Sequence, residues 1–440
     1  MQSQIWVSWD FFVFMSIIIG RVRYSLVVGV MLLFSNILFA QSSQSPYSAL
    51  GIGEIIQPYL VTNVGMGGIS VGYPNTRHFN LMNPALLGVK ESFTTFEAGY
   101  TGETRTITQN DLTQRNGSGN LMYLGIAFPI KRGRWMSGFG LVPYSYANYN
   151  IITTGNVNGA EDEEAVYNFK GDGGLNNLFW SHGVRVLKNL SIGVNISYLF
   201  VNFDNQTVIE LDQDYSYNSA LVESIRVRDF NIGFGAAYRV NTGEASGIYF
   251  GGIYELKANL NTTVFELLDR QQKGTGITLS SDTIIDNLKT TITLPQKYGL
   301  GVSFVKGIKW IISADFVVQE WTGYKNYSDE SPLLSDSYRA SLGFELTPDA
   351  NSVTSYMSRM TYRTGAYYER TPYVVNNDQI YDFGINFGVS LPVGQASLVN
   401  LALNYGQRDG SLTTAISESY IRFSLGLTVN DIWFYRRKID

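Results

Sequence analysis

The chain has no cysteine and only two histidines among 440 residues. Without cysteine there is no disulfide framework and no lipidated N-terminal thiol. Two histidines leave little from which to build a transition-metal site. Charge is scarce as well, at 16% Asp, Glu, Lys and Arg, where an ordinary soluble domain carries about 25%. The formal net charge of −5 offers no basic footprint to a nucleic acid. Only 11 prolines are present, and no Pro-, Ser- or charge-rich stretch divides the chain, so one continuous domain is expected. Long apolar runs are missing too. After Ala40 none approaches the roughly 18 residues that a spanning helix needs, so a mature protein in a membrane must be there as strands.

What is present is aromatic and β-prone: 29 Tyr, 25 Phe and 44 Gly, a composition that favours pleated, half-buried surfaces. Near the N-terminus Arg21 and Arg23 precede an apolar run over residues 26–34, and Ala40 then meets a polar Ser- and Gln-rich segment. This is the layout of a secretory signal peptide cleaved after Ala40, which assigns residues 1–40 to the leader. The first twenty residues either extend that leader or come from a start codon placed too far upstream.

Alternation of apolar and polar residues marks fourteen candidate strands, the first over 92–104, the third over 135–148 and the last over 418–429. The connections alternate between short ("KRGR", "KGIK") and long (residues 104–119, 149–176, 204–225 and 261–290). That asymmetry is what an up-and-down outer-membrane barrel shows, with its short turns on the periplasmic side. In "IYDFGINFGVSLPVG", residues 380–394, Tyr381, Phe383, Ile385, Phe387 and Val389 share one face, and Asp382, Gly384, Asn386, Gly388 and Ser390 share the other. Strands in lipid must close into a ring to pair every backbone group. The aromatic face is therefore expected outside, and the Gly, Asn and Ser face inside. Small residues on the inner face suit a wall against which something packs closely. Residues 41–91, rich in Gly, Pro and Asn yet carrying Ile, Leu, Val and Met, are expected to be that something, a hatch inside a barrel of residues 92–440. Fold class is accordingly all-β, a fourteen-stranded antiparallel transmembrane barrel.

With "NPA" at Asn83, Pro84 and Ala85 just before the first strand, "LPQKYGLGVSF" at residues 294–304 and fourteen strands behind an N-terminal plug, the chain resembles the FadL-like family of outer-membrane fatty-acid and hydrocarbon transporters. The resemblance implies passive uptake of a hydrophobic small molecule, long-chain fatty acids first. The ligand would be captured by extracellular loops and released sideways through the wall as the hatch shifts. It also implies a capture groove at the third and fourth long loops, where Phe265, Leu267, Leu268, Ile277 and Leu279 supply apolar side chains, and a lateral opening at a kinked third strand, where Pro143 stands. The chain departs from the pattern at its end, where the expected terminal aromatic sits inboard at Phe434 or Tyr435. Because one fold serves several roles, a protein-binding barrel that assists a secretion or surface-assembly system is the alternative.

Other motifs add less. "GISVG" around Ser70 matches an esterase elbow, but the pattern needs a strand-to-helix turn with His and acid partners, so no catalytic residue is assigned and no enzyme is expected. The acidic runs at Glu161–Glu164 and from Asp212 read as solvated loops, bridged at most by divalent cations to lipopolysaccharide. Arg239, Asp315, Arg339, Glu345, Arg363 and Arg422 fall on lumen-facing positions, where they are expected to pair and brace the hatch, or to offer an arginine to a ligand carboxylate. No cofactor and no metal are expected. The expected partners are outer-membrane lipid and lipopolysaccharide, a hydrophobic ligand, or a secretion-system protein.

Overall fold

The computed structural model describes residues 45–89, 93–109, 112–157, 160–211, 217–328, 334–393, 396–410 and 416–432, with only the backbone at 157 and 160–163. The leader, Phe434, Tyr435, Asp212 and the side chains of residues 161–163 lie outside the described residues. No described helix is long and apolar enough to cross a membrane, which says nothing of strands.

Nineteen strands are found among the described residues: β1 (Glu54–Ile55), β2 (Thr94–Gln109), β3 (Leu112–Lys131), β4 (Trp135–Pro143), β5 (Ser145–Val157), β6 (Ala160–Gly173), β7 (Asn176–Arg185), β8 (Leu190–Leu211), β9 (Tyr217–Asn241), β10 (Ser246–Glu255), β11 (Ala258–Gln272), β12 (Thr278–Leu294), β13 (Lys297–Lys306), β14 (Trp310–Gln319), β15 (Ser337–Leu346), β16 (Thr361–Val375), β17 (Asp378–Val393), β18 (Ser397–Asp409) and β19 (Ile416–Asp431). Fourteen of them, β2, β3, β4, β7, β8, β9, β10 and β13 through β19, pair antiparallel in that order. The ring closes where β19 meets β2, with Phe423 opposite Gly102.

The remaining strands correct the expectation of long loops. Hairpin β5–β6 pairs onto an extension of β8, and hairpin β11–β12 onto an extension of β9. Above the ring the backbone still needs partners, and runs such as "TRTITQ" and "NQTVIEL" carry enough β-branched residues to find them in a neighbouring strand. The long connections are therefore sheet that continues beyond the ring.

The two faces divide as the alternation predicts. On β17, Ile385 is 50% and Phe387 57% exposed, whereas Asn386 and Ser390 are sealed inside at 2% and 1%. The outward band continues through Leu300, Phe316, Leu342, Ile421 and Phe423. A surface of that extent is dry only when lipid covers it.

Residues 45–89 pack on the inner face, in one compact unit with the ring. Side chains added at the inward glycines of β7, β8, β9, β10, β13, β15 and β16 would come within 2.0–2.6 Å of this segment's atoms. The segment thus touches seven strands of the closed ring on one face. Its first residues, Tyr47 and Ile52, join a core with Leu199, Val201, Phe203, Ile225, Leu260 and Ile292 at the end of the lumen where the hairpins rise.

Candidate functional site

Among the described residues the ring has one conspicuous break. The β3–β4 ladder stops at Leu124 opposite Leu141, while on its other edge β4 stays paired with β7 as far as Pro143 opposite Asn176. Proline has no N–H for a ladder, and one residue is inserted in β3 between Leu121 and Tyr123, a bulge of the kind that bends a strand. Beyond the break the chain leans into the lumen. Tyr146 and Ser145 pair with Glu54 and Ile55 of β1, and the Ile56 N–H donates to the Tyr144 carbonyl at 2.9 Å. The N-terminal segment thus takes the place that β3 gives up. Residues 112–123 of β3 keep a strand partner, β2, on one edge only, and the Tyr146 hydroxyl spans the gap to the Leu121 carbonyl at 3.1 Å.

Behind this gap lies a cavity, about 1200 Å³ when the open solvent at its mouth is counted in, reached past Asn120, Leu121, Met122, Pro143 and Tyr146. Its walls are charged. Glu54 accepts from Arg105 at 3.0 Å and from Arg408 at 2.8 Å. Arg105 also reaches Glu103 and Glu418, Arg408 reaches Asp382, and Arg422 reaches Glu103. Burial alone would raise the Glu54 carboxyl, but Arg105 and Arg408 beside it hold it well below the usual carboxylate range. Across Ile55, Ile56 and Pro143 lies a second cavity, about 680 Å³ with the open solvent at its mouth, whose wall has fewer charged residues and includes Leu81, Met82, Val142, Phe179 and Ile253.

The Asn83, Pro84 and Ala85 turn is fully enclosed. Asn83 donates to the carbonyls of Val71 (2.8 Å) and of Ala236 in β9 (3.2 Å), and its Oδ1 accepts from the Ala85 N–H (3.1 Å). The turn rests on Gly183, Gly193 and Gly235, one each from β7, β8 and β9. Asp315, on β14, accepts from the backbone N–H groups of Ser70, Val71 and Gly72 at 2.5, 2.7 and 3.3 Å. Ser70 is therefore buried and bonded through its backbone, and its hydroxyl meets Asn80. Glu345 accepts from Tyr73 and from Arg363. Arg339 pairs with Glu369, donates to the Gly67 carbonyl and stacks on Tyr367 with its carbon 3.6 Å from the ring centre. Arg239 stands apart, over Tyr249 at the mouth with the short turns.

Phe265, Leu267 and Leu268 lie on β11, Ile277 in the turn and Leu279 on β12, all beyond the ring. Phe265 and Leu267 are half-buried, whereas Leu268, Ile277 and Leu279 are exposed. None of the five lines either cavity.

The family model described as BamG matches residues 22–440, nearly the whole chain. The chain belongs to the BamG family. No curated protein matches it in sequence. The BamG-family barrel is similar in structure to the toluene transporter TodX of Pseudomonas putida (15% identity, 86% of this chain and 99% of that one, TM-score 0.58). It is also similar to the toluene transporter TbuX of Ralstonia pickettii (15%, 85% and 98%, 0.53) and to a FadL homologue of Pseudomonas aeruginosa (13%, 86% and 99%, 0.52). At these identities the likeness shows that the BamG-family chain has the FadL-like fold, and shows the fold alone.

Of the residues around the larger cavity, sequence reasoning found Arg339 and Arg422 and missed Glu54, Glu103, Arg105, Asp382, Arg408, Glu418 and Tyr420 as members of one site. The signal was present. Glu103 and Arg105 share the inward parity of Glu97 and Gly99 on β2, and Glu418 shares that of Arg422 on β19. Ending the first strand at residue 104 hid Arg105 in a supposed loop.

Proposed function

We propose that this protein sits in the outer membrane of a Gram-negative bacterium and lets hydrophobic small molecules, long-chain amphiphiles such as fatty acids foremost, pass between the outside and the membrane by lateral exchange. Residues 45–89 act as a hatch in this reading. The observation that carries it is the break at Pro143, an interruption in an otherwise closed wall that opens on a lumen cavity. Unpaired backbone is tolerated at membrane depth only where protein or a water-filled space covers it, so an opening of this kind implies traffic or a resident occupant. TodX and TbuX, which share the fold, are toluene transporters, and this agrees with the reading.

The protein has no cysteine of its own, which makes the test clean. Leu121→Cys with Tyr146→Cys, bridged by a short bis-maleimide, is expected to stop the passage of a fluorescent fatty acid and of toluene across proteoliposomes, while the unbridged pair passes both. Undiminished passage through the bridged barrel would sink the proposal. Pro143→Ala is expected to slow passage in the same assay.

A second reading is favoured by one observation. Hairpin β11–β12 exposes Ile277, Leu279, Ile284 and Leu288 at 46–59%, a patch suited to protein contact. A photo-cross-linker at Leu279 that captures one defined protein stoichiometrically, in a barrel without passage, would put a secretion or surface-assembly role first.

A further inference from the structure

Charge is spread unevenly over the barrel. The chain as a whole has a net charge of −5, yet β3, β4 and β7 contain no Asp or Glu, and neither does the turn at 132–134 or the turn at 186–189. These two turns lie side by side, because the Arg185 N–H donates to the Arg134 carbonyl at 2.7 Å. The first is closed by the Arg134 N–H on the Lys131 carbonyl at 3.0 Å and by Gly133 at a φ of 66°, a conformation that suits glycine. Lys131, Arg132, Arg134 and Lys188 are exposed there. Lys131, Arg134 and Lys188 form no ion pair among the described residues. The surface beside these cations is apolar and faces outward. Ile130, 46% exposed, precedes Lys131, and Trp135 stands opposite Lys131 in the ladder, so the two share a face. Trp135 and Trp180 flank His182 with ring centres 6.0 and 4.9 Å from it. Their indole N–H groups are spent within the wall, on His182 Nδ1 at 3.3 Å and Ser137 Oγ at 3.0 Å. Both rings are 39% or more exposed, and Leu187, beside Lys188, is 61% exposed. An acidic protein would answer the charges and leave the apolar flank unmatched. A molecule anionic at one end and apolar at the other answers both.

From this arrangement we infer that the two turns form a binding site for an anionic diacyl phospholipid, of the phosphatidylglycerol type, in the leaflet on the short-turn side. The phosphate accepts from Arg134 and Lys188, whose aliphatic stems lie along apolar surface while their charged ends reach head-group depth. The acyl chains cover Trp135, Trp180 and Leu187. Aromatic girdles are general in outer-membrane barrels, and the cations without local carboxylates are what give this stretch a preference for negative charge. The turn at Lys306 and Lys309 serves as an internal contrast. It too has two exposed cations and a tryptophan, but Trp310 is half-buried against Phe304, and the Gly307 N–H ties it to the Ala245 carbonyl in a turn that holds Glu244. This inference rests on the barrel's place in a membrane and not on the opening at Pro143.

The test uses the full barrel in vesicles of equimolar phosphatidylethanolamine and phosphatidylglycerol, followed by gentle extraction and native mass spectrometry. Phosphatidylglycerol is expected to remain bound, at least tenfold over phosphatidylethanolamine. Arg134→Gln with Lys188→Gln is expected to cut its occupancy at least tenfold with heat-modifiable migration intact. Lys306→Gln with Lys309→Gln, the same change in net charge at the contrasting turn, is expected to leave occupancy within twofold. Phosphatidylglycerol methylated at its phosphate keeps the glycerol and both tails but not the charge. It is expected to be lost from the unaltered protein, so the outcome does not depend on a variant folding. Equal retention of the two lipids, retention of the methylated lipid, equal loss from both double variants, or no loss from the folded Arg134 and Lys188 variant overturns the inference. Retention of no lipid overturns it too and leaves the cations to an acidic protein. Passage in the bridging assay is expected to be the same with and without phosphatidylglycerol, so that the opening and the lipid site stand or fall separately.

Discussion

At the scale of single residues, the N-terminal segment rests on wall positions that have no side chain. A Cβ at Gly235 would lie 2.2 Å from Asn83 Oδ1, and one at Gly251 would lie 2.0 Å from the Val71 carbonyl. Gly235→Ala therefore forces the Asn83 turn away from β9. Overpacking of this kind destabilises by about 1–3 kcal/mol, read as a lower melting temperature with faster proteolysis within residues 45–89, while the barrel itself survives. Asn83→Ala removes three hydrogen bonds and leaves the Ala236 and Val71 carbonyls short of a donor. A comparable loss, about 1–3 kcal/mol, is expected with no change in strand content by circular dichroism.

At the scale of elements, β1 and the broken third wall strand depend on each other. Glu54 is clamped by two arginines, so Glu54→Gln leaves Arg105 and Arg408 facing each other with less negative charge between them. Breaking a buried pair typically costs about 3–5 kcal/mol, and amide exchange at residues 54–56 is expected to rise. Because the folded-state pKa of Glu54 is depressed, its contribution is fully present above the unfolded value of about 4.3 and is lost as pH falls below it. Exchange at residues 54–56 should be flat from pH 8 to pH 5 after correction for intrinsic rates, and should rise only in stronger acid. The sequence showed the alternation of β17 and the inward parity of Asp315, Arg339 and Arg363 clearly, because a period of two needs no tertiary information. It also singled out Pro143 as a residue with no N–H to give to a ladder. It could not show that Glu54, fifty-one residues before Arg105, would complete the same cluster, since residues 45–89 have no periodicity and their course is set by the glycines they touch. The extent of β8, β9, β11 and β12 was hidden for a related reason. Outside lipid, strand length follows from pairing rather than from an apolar pattern.

For the whole molecule, the even count of wall strands puts both ends of the ring on one side and sorts the connections into two sets. If the hairpins face outward, trypsin added to intact cells cuts at the Lys273 turn of β11–β12. The exposed turns at Lys188 and Lys309 should be cut only after the outer membrane is permeabilised. Cleavage at Lys309 in intact cells would invert the orientation and with it the assignment of the capture side.

The inward glycines have a meaning for assembly as well as for packing. The N-terminal segment runs directly into β2, and β2 forms the last seam with β19, sixteen residue pairs long from Ile416 opposite Gln109 to Asp431 opposite Thr94. Closing that seam ties the first wall strand of the chain to the last, with the segment packed against many of the strands between them. If the segment docks before that seam forms, the wall shuts over it like a stave vessel hooped over a finished cargo. The order in which the chain is made, segment first and final strand last, is the order in which such a vessel can be built.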